Sequence, residues 1–360
     1  MTLFAGEPFP SFRLPGTTNP NYAVDTAGGR YIVFAVLSTA DDAVIGQGIE
    51  TIEANRRRFD DVHACVFGIV PDRPEWRARC QDQIPGVRWL FDADGTVAGL
   101  LDAVDQPAWI LVDPNLTVLR KGGREHAESV LANVSSLPPP HLHTGTETFA
   151  PVLLVPRIFE PAFCEQLISE YDRIGGEPSG FMREVDGITR LMSDVNHKRR
   201  SDAHLEEGPL REQTRVRIQR RLMPQIHKAF QFRVTRMERY LVACYDAESG
   251  GYFRPHRDNT TKGTAHRRFA VSINLNQDFD GGNLRFPEFG PRTYRAPLGG
   301  AVVFSCSLLH EATAVTRGKR YAFLPFLYDD AGAEIRQQNI KFLAPELTGE
   351  PIEATAPRDV

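Results

Sequence analysis

Three consecutive prolines, Pro138 to Pro140, limit what this chain can fold into, because neither a helix interior nor a central strand tolerates them. Residues 141–146, which follow them, are mostly polar. A chain of 360 residues also exceeds the usual size of one domain. We therefore predict two domains, 1–134 and 149–345, with a proline-rich linker at 135–148 and a tail at 346–360.

Continuous apolar runs characterise the first domain. Residues 31–37, 62–70 and 109–112 form three such runs, and the polar stretch 48–59 between the first two has helical spacing. Strands that are apolar throughout are buried on both faces, as in a sheet with helices on either side. The sequence therefore predicts an α/β domain.

Several motifs accompany these runs, and together they resemble the peroxiredoxin/thioredoxin-like family. They are Gly6-Glu7-Pro8-Phe9-Pro10, Phe91-Asp92-Ala93-Asp94-Gly95 and Gln106-Pro107-Ala108-Trp109-Ile110-Leu111-Val112-Asp113. The resemblance implies a thioredoxin-like fold with a reactive cysteine in the loop after the first of these strands.

That loop, residues 38–48, contains no cysteine. Cys65 falls inside a predicted strand, where a small buried side chain is the ordinary expectation, and Cys80 falls in a predicted helix. We therefore predict a redox-inactive domain that acts as a docking or dimerisation module, with a homodimer as one outcome. The alternative, an active thiol peroxidase, requires Cys65 or Cys80 to be exposed.

The second domain begins with a predicted strand at 152–155 and two predicted helices, at 161–173 and 210–230. Arginines on the second helix lie largely off its apolar stripe, which is typical of a solvated face. From Arg239 onward the sequence changes to short apolar segments separated by Gly/Pro turns. This pattern predicts an all-β barrel or jelly roll.

A candidate metal site lies in this β region. His256 and Asp258 are two residues apart, so on a strand they point to the same face. His310 follows the apolar segment 302–309, at what we expect to be the end of a strand. Two imidazoles and one carboxylate form the ligand set of non-haem Fe(II) oxygenases. For His310 taken alone, a hydrogen-bonded core histidine is the alternative.

Arg320 lies ten residues after His310. A turn at Arg317-Gly318 would return the chain as an antiparallel strand and bring Arg320 to the wall of the same cavity. Its guanidinium can bind a carboxylate through two parallel hydrogen bonds, which suits the distal acid of 2-oxoglutarate. The alternative is a surface arginine.

These residues and their surroundings resemble the prolyl 4-hydroxylase-like branch of the 2-oxoglutarate/Fe(II) oxygenases. The further matching motifs are Cys244-Tyr245-Asp246, Ile273-Asn274-Leu275-Asn276, Asp280-Gly281-Gly282-Asn283-Leu284-Arg285-Phe286 and Pro297-Leu298-Gly299-Gly300-Ala301. The resemblance implies an α+β double-stranded β-helix (jelly-roll) domain that uses Fe(II), 2-oxoglutarate and dioxygen, with ascorbate as a candidate stimulant. Iron would be bound by His256, Asp258 and His310, and 2-oxoglutarate by Arg320 and Tyr245.

Hydroxylation of an unactivated C–H bond is the reaction that this resemblance implies. Next to the metal motif, His266, Arg267 and Arg268 supply cations that suit a carboxylate-bearing substrate, such as free proline or a homologue. One alternative is a prolyl or other residue in a protein. An alternative of another class is a non-catalytic redoxin-like binding or scaffold protein.

Composition and net charge indicate which partners and compartments suit this chain. A net charge of −4 gives no electrostatic reason to expect nucleic acid or an anionic membrane surface. We see no secretory signal, and the longest apolar run is too short to span a bilayer. The five cysteines form no C-x-x-C pair, which favours a reducing compartment. We expect a cytoplasmic protein.

Overall fold

The structure, a computed structural model, describes residues 3–348. The described chain divides into two compact units. The first contains the residues up to Ala150 together with Phe286–Arg292, and the second contains Pro151–Arg285 and the residues from Thr293 onward. Most of the proposed tail, 349–360, lies outside the described residues. Within residues 3–348, no helix combines the length and apolar character needed to cross a bilayer.

The first unit is built on a five-stranded sheet, in the order β5-β4-β3-β6-β7. The first three of these strands are mutually parallel, and β6 and β7 add to the edge in alternating directions. The strands are β1 (Arg13–Leu14), β2 (Tyr22–Ala23), β3 (Tyr31–Val36), β4 (Ala64–Pro71), β5 (Val87–Asp92), β6 (Ala108–Val112) and β7 (Val118–Gly122). The helices are α1 (Asp42–Ala54), α2 (Pro74–Arg79), α3 (Thr96–Leu100) and α4 (Ala127–Val134).

Both faces of the sheet are buried, as the apolar runs predict. Alternate residues of β3 belong to two separate cores: Val33 packs with residues of α1 and α4, whereas Phe34 packs with the N-terminal segment and α3. The α/β architecture is therefore confirmed. One boundary is wrong: α1 begins at Asp42, within the predicted loop 38–48, because the Asp41 side chain caps the helix by accepting from the Val44 amide.

Helices precede the β region in the second unit. These are α5 (Pro161–Ile174), α6 (Pro209–Arg217) and α7 (Met223–Phe230), with α8 (Asp330–Asn339) near the end of the unit. The predicted helix 210–230 is interrupted by a π-helical turn, Ile218–Leu222, which precedes Pro224. Part of its basic face is paired within the unit, because Arg217 and Arg221 both contact the Glu160 carboxylate.

The remaining strands form two antiparallel sheets and one separate hairpin. They are β8 (Leu153–Val155), β9 (Glu177–Pro178), β10 (Phe181–Val185), β11 (Ile188–Met192), β12 (Lys198–Arg199), β13 (Ser201–His204), β14 (Arg236–Glu238), β15 (Leu241–Asp246), β16 (Tyr252–His256), β17 (Phe269–Asn274), β18 (Phe279–Gly281), β19 (Leu284–Arg285), β20 (Thr293–Tyr294), β21 (Ala301–Ser305), β22 (His310–Ala312), β23 (Val315–Phe323) and β24 (Phe326–Tyr328). A separate hairpin pairs β10 with β11.

Strand order in these sheets is that of a jelly roll. One sheet contains the sequence β15-β23-β17-β21, and the other contains β16-β22-β19-β20. The chain therefore crosses repeatedly between the sheets, which is how a double-stranded β-helix is built. The jelly roll implied by the sequence resemblance is confirmed, and its smaller sheet contains both histidines of the predicted metal site.

Candidate metal centre

Strand pairing brings the three predicted metal ligands together. His256 ends β16 and His310 begins β22, and these two residues are direct register partners. Asp258 lies two residues beyond the end of β16, where its amide donates to the Cys306 carbonyl at 2.9 Å. One potential ligand atom from each of the three side chains lies within 4.8 Å of the others.

Hydrogen bonds to the backbone fix the tautomer of both imidazoles. His256 Nδ1 donates to the Arg254 carbonyl at 2.8 Å, and His310 Nδ1 donates to the Leu308 carbonyl at 3.0 Å. Since a carbonyl can only accept, each neutral ring has its lone pair on Nε2. These Nε2 atoms face the Asp258 carboxylate, at 3.6 Å for His256 and 3.3 Å for His310.

This donor set fits a divalent cation. Burial and the neighbouring His310 lower the pKa of His256 to about 4, so this ring is neutral near pH 7. Burial alone would raise the pKa of Asp258, but the two histidines hold it well below its usual range. Lone pairs and a carboxylate therefore converge on one point, and a metal ion there satisfies them together. Hydrogen bonds from the second ring nitrogen, here from Nδ1 to a backbone carbonyl, orient the histidine ligands of metal sites.

Aromatic rings hold the two imidazoles in place. Phe253 stacks on His256 with the ring centroids 3.5 Å apart, and Phe304 packs its edge against His310 at 4.5 Å. Both phenylalanines line the cavity next to the triad. Packing against these two rings therefore limits the rotation of both imidazoles.

Arg320 lies in the wall of the same cavity, as the sequence predicts, and is 3% exposed. Its Nε donates to Asn274 Oδ1 at 3.2 Å and its Nη2 to Ser272 Oγ at 2.6 Å. Burial lowers the pKa of Arg320 to about 10, so it remains cationic at neutral pH. Among the described residues, the hydrogen bonds of this guanidinium use Nε and Nη2, so Nη1 can donate to a bound acid.

Tyr245 is the register partner of Arg320 on the neighbouring strand, β15, and lines the cavity beside it. The Arg320 guanidinium carbon lies 5.3 Å from the centre of the Tyr245 ring. The phenol oxygen accepts a long hydrogen bond from Arg200 Nη1, at 3.4 Å.

The route of the chain to Arg320 differs from the prediction. β21 ends at Ser305, and His310 begins a new strand in the other sheet. The chain then turns at residues 313–314, not at Arg317-Gly318, and crosses back into β23. Gly318 is inside β23 with a φ of 71°, where a Cβ would meet the Asp278 carbonyl at 2.7 Å. It is therefore a kink in a strand, not a turn.

The structure places the three predicted substrate cations beside acidic partners. His266, Arg267 and Arg268 are not among the residues that line the cavity. His266 and Arg267 pair instead with the buried Glu238 carboxylate, at 3.0 and 2.6 Å, and Arg336 approaches it at 3.4 Å. Arg268 lies 3.9 Å from Asp329. These side chains balance local acids, and their role toward a substrate stays a prediction.

Two arginines that line the cavity were not predicted from the sequence. Arg200 and Arg239 both line the cavity, and both contact Asp202, at 2.6 and 3.5 Å. For Arg200 a signal exists, since Arg-x-Asp in extended chain places both side chains on one face, and Arg200 directly precedes the strand that contains Asp202. Arg239 carries no local signal, because its position depends on a left-handed backbone with a φ of 68°.

The cysteines give no reactive site among the described residues. All five are free and buried. Cys65 is within β4, and burial raises its pKa to about 12. Cys80 follows α2 and does not lie inside it, and burial raises its pKa to about 12 as well. The exposed thiol that a peroxidase requires is absent from residues 3–348.

The sequence around this site is similar to that of known proteins. Residues 240–328 match the 2OG-Fe(II) oxygenase superfamily. This segment contains the triad, Tyr245 and Arg320.

Similar proteins carry hydroxylase names. A PKHD-type hydroxylase from Synechococcus sp. (strain JA-2-3B'a(2-13)) is 32% identical over 89 residues, which is 23% of this chain and 39% of that protein. Another from Pseudomonas fluorescens (strain Pf0-1) is 40% identical over 91 residues, with the same coverage. A solved prolyl-4-hydroxylase from Pseudomonas putida is 18% identical with a TM-score of 0.39, and the match covers 52% of this chain and 95% of that one. This chain therefore spans about two-fifths of the length of the curated relatives named here.

Proposed function

We propose that this protein is a 2-oxoglutarate- and Fe(II)-dependent dioxygenase that hydroxylates an unactivated C–H bond. The observation that carries this proposal is the convergence of two fixed Nε2 lone pairs and one carboxylate in a single cavity. The match of the surrounding residues to an oxygenase superfamily supports it independently.

His256, Asp258 and His310 would hold Fe(II), and a set of three protein ligands suits a metal that also binds co-substrates. Arg320 would bind the distal carboxylate of 2-oxoglutarate, with Tyr245 beside it. When bound, the metal with 2-oxoglutarate and dioxygen supplies the oxidising chemistry. The protein orients the co-substrate, and its aromatic walls limit the access of water to the reacting C–H bond. Ascorbate, as a reductant of the metal, is a candidate stimulant.

For the substrate we favour a free amino acid or a related carboxylate metabolite, such as proline or a homologue. The support is the set of arginines in the cavity, in addition to the proposed 2-oxoglutarate anchor. A prolyl or other residue in a protein is the second candidate.

We propose that the first unit has a thioredoxin-like fold without redox chemistry and that it contributes a docking or dimerisation surface. The buried thiols support the lack of redox chemistry, because no cysteine among the described residues of this unit is exposed. Light scattering on the full chain tests for a homodimer, and a strictly monomeric mass would remove dimerisation from the proposal.

Turnover tests the proposed reaction. The full chain with Fe(II), 2-oxoglutarate and oxygen should form succinate and add one oxygen atom to a member of a panel of amino acids and peptides. The His310→Ala variant serves as the matched negative control. Succinate formation that is equal in this variant and in the wild type would contradict the proposal.

A further inference from the structure

The cavity has more positive charge than the proposed co-substrate requires. Arg200, Arg239 and Arg320 all line it, whereas Asp258 is the one carboxylate among its lining residues within the described chain. Fe(II) and 2-oxoglutarate carry equal and opposite charges, and Asp258 balances Arg320. Arg200 and Arg239 then remain, with one carboxylate, Asp202, in contact with both. The balance leaves a surplus of one positive charge.

Arg200 is the more buried of these two arginines. Its side chain is 4% exposed, and its Nη2 donates to Asp202 at 2.6 Å and to Ser179 Oγ at 3.1 Å. Its buried Nε has no hydrogen-bond partner within the described residues. An unsatisfied N–H on a buried cation is costly unless a ligand or water meets it.

Arg239 is the less constrained of the two. Its side chain is 23% exposed, and Asp202 at 3.5 Å is at the outer limit of a hydrogen bond. The guanidinium lies 5.2 Å from the centre of the Phe326 ring, another lining residue. Burial and the neighbouring Arg200 lower the pKa of Arg239 below its ordinary value. A bound anion gives the largest electrostatic stabilisation to a cation that lies beside another cation.

The backbone at Arg239 supports a functional role. Its φ of 68° lies in the left-handed region, which costs free energy for a residue with a Cβ. This residue directly follows Glu238 at the end of β14, yet the two side chains have different surroundings. Glu238 pairs with His266 and Arg267, whereas Arg239 lines the cavity.

We infer that Arg239, with Arg200 beside it, binds a carboxylate of the substrate. The inference rests on the proposed oxygenase function and deepens it, because it specifies an acidic substrate and the residues that recognise it. A guanidinium–carboxylate pair is bidentate and fixes orientation as well as charge. The pair would place one C–H bond of a small acid toward the triad, and a prolyl residue inside a peptide lacks the carboxylate that it recognises.

Binding to the anaerobic protein with Fe(II) and 2-oxoglutarate tests this assignment. Calorimetric titration would use a panel of free amino acids, each paired with its primary carboxamide. We expect at least one acid to bind about tenfold or more tighter than its amide. Short peptides with a free or an amidated C-terminus, tested in the same way, distinguish a metabolite from a peptide end as the source of the carboxylate.

Variants of Arg239 identify the residue responsible. Arg239→Gln should abolish the preference for the acid, and Arg239→Lys should restore part of it because the charge returns. Both should keep the wild-type dissociation constant for 2-oxoglutarate to within about twofold. Arg268→Gln, a nearby arginine outside the cavity, is the matched control and should keep the preference.

Three results would overturn the assignment: no acid preferred over its amide, a preference that survives in Arg239→Gln, or a weakening of 2-oxoglutarate binding in Arg239→Gln as large as that of the acid. The last result would place Arg239 in the co-substrate site. Failure of the proposed function is distinguishable from all three. In that case Fe(II) and 2-oxoglutarate would not bind the wild-type protein, before any panel compound is added.

Discussion

His256 and His310 face each other as register partners on neighbouring antiparallel strands, with their ring centroids 4.3 Å apart. The Nδ1 atoms of the two rings donate to backbone carbonyls, those of Arg254 and Leu308. The geometry of the site is therefore a property of the paired strands. It should persist when one ligand is removed.

We predict that His256→Ala and His310→Ala each lose Fe(II) binding and succinate formation while remaining folded. Asp258→Ala should stop hydroxylation but keep weak Fe(II) binding, since two imidazoles remain. Metal content after anaerobic loading measures Fe(II) binding, and the far-UV circular dichroism spectrum shows whether each variant remains folded. Full activity in either histidine variant would refute the ligand assignment.

Arg320→Ala should act on the co-substrate and not on the metal. The loss of a desolvated, charge-assisted pair is worth on the order of 2–4 kcal/mol. The apparent constant for 2-oxoglutarate should then rise by about 30- to 1,000-fold. Arg317→Ala is the matched control, because Arg317 lies on the same strand but pairs at the surface with Asp278 and Asp280. An unchanged constant in Arg320→Ala would move the anchor elsewhere. Lys319 is a poor replacement because it pairs with Asp246.

Glu238 should be a major determinant of stability. It is 7% exposed and neutralises Arg267, with His266 and Arg336 also in contact. Glu238→Ala leaves buried cations unpaired, which typically costs about 3–5 kcal/mol. Chemical denaturation measures this loss, and Arg268→Gln provides a comparison at a more exposed pair. A change below about 1 kcal/mol in Glu238→Ala would show that solvent reaches the network.

The same residue predicts a pH dependence. Burial alone would raise the pKa of Glu238, but Arg267 and His266 hold it well below its ordinary value. A lowered folded pKa stabilises the protein above the unfolded value of ~4.3, and this contribution is lost as the pH falls toward the folded pKa. The free energy of unfolding should therefore fall less steeply below pH ~5 in Glu238→Gln than in the wild type. Parallel curves would contradict this linkage.

Replacing both Cys65 and Cys80 by alanine should leave oxygenase turnover unchanged in a variant that still folds. Neither the variant nor the wild type should consume peroxide through a thiol, because burial raises the pKa of both groups to about 12. Peroxide consumption that disappears with these cysteines would restore the peroxidase alternative.

Local patterns in the sequence predict both architectures and the central site. Continuous apolar runs specify the buried strands of the first unit, and short spacings bring His256 and Asp258 together. Features that depend on distant pairing were not predictable. Arg267 sits beside the metal motif in the chain but pairs with Glu238, 29 residues earlier. Arg239 lines the cavity because its backbone is left-handed, and the residue type does not predict that conformation. A sequence window shows which residues are cationic but not which acids neutralise them.

Anaerobic titration of the full chain with Fe(II) and then 2-oxoglutarate tests the central claim most directly. Chelation of Fe(II) by 2-oxoglutarate produces a visible charge-transfer absorption, which reports the assembled site before any substrate is known. We predict one Fe(II) and one 2-oxoglutarate per chain, with the absorption absent from His310→Ala and requiring much more 2-oxoglutarate in Arg320→Ala. A wild-type protein that binds neither, or an absorption unchanged in His310→Ala, would contradict the assignment of this cavity.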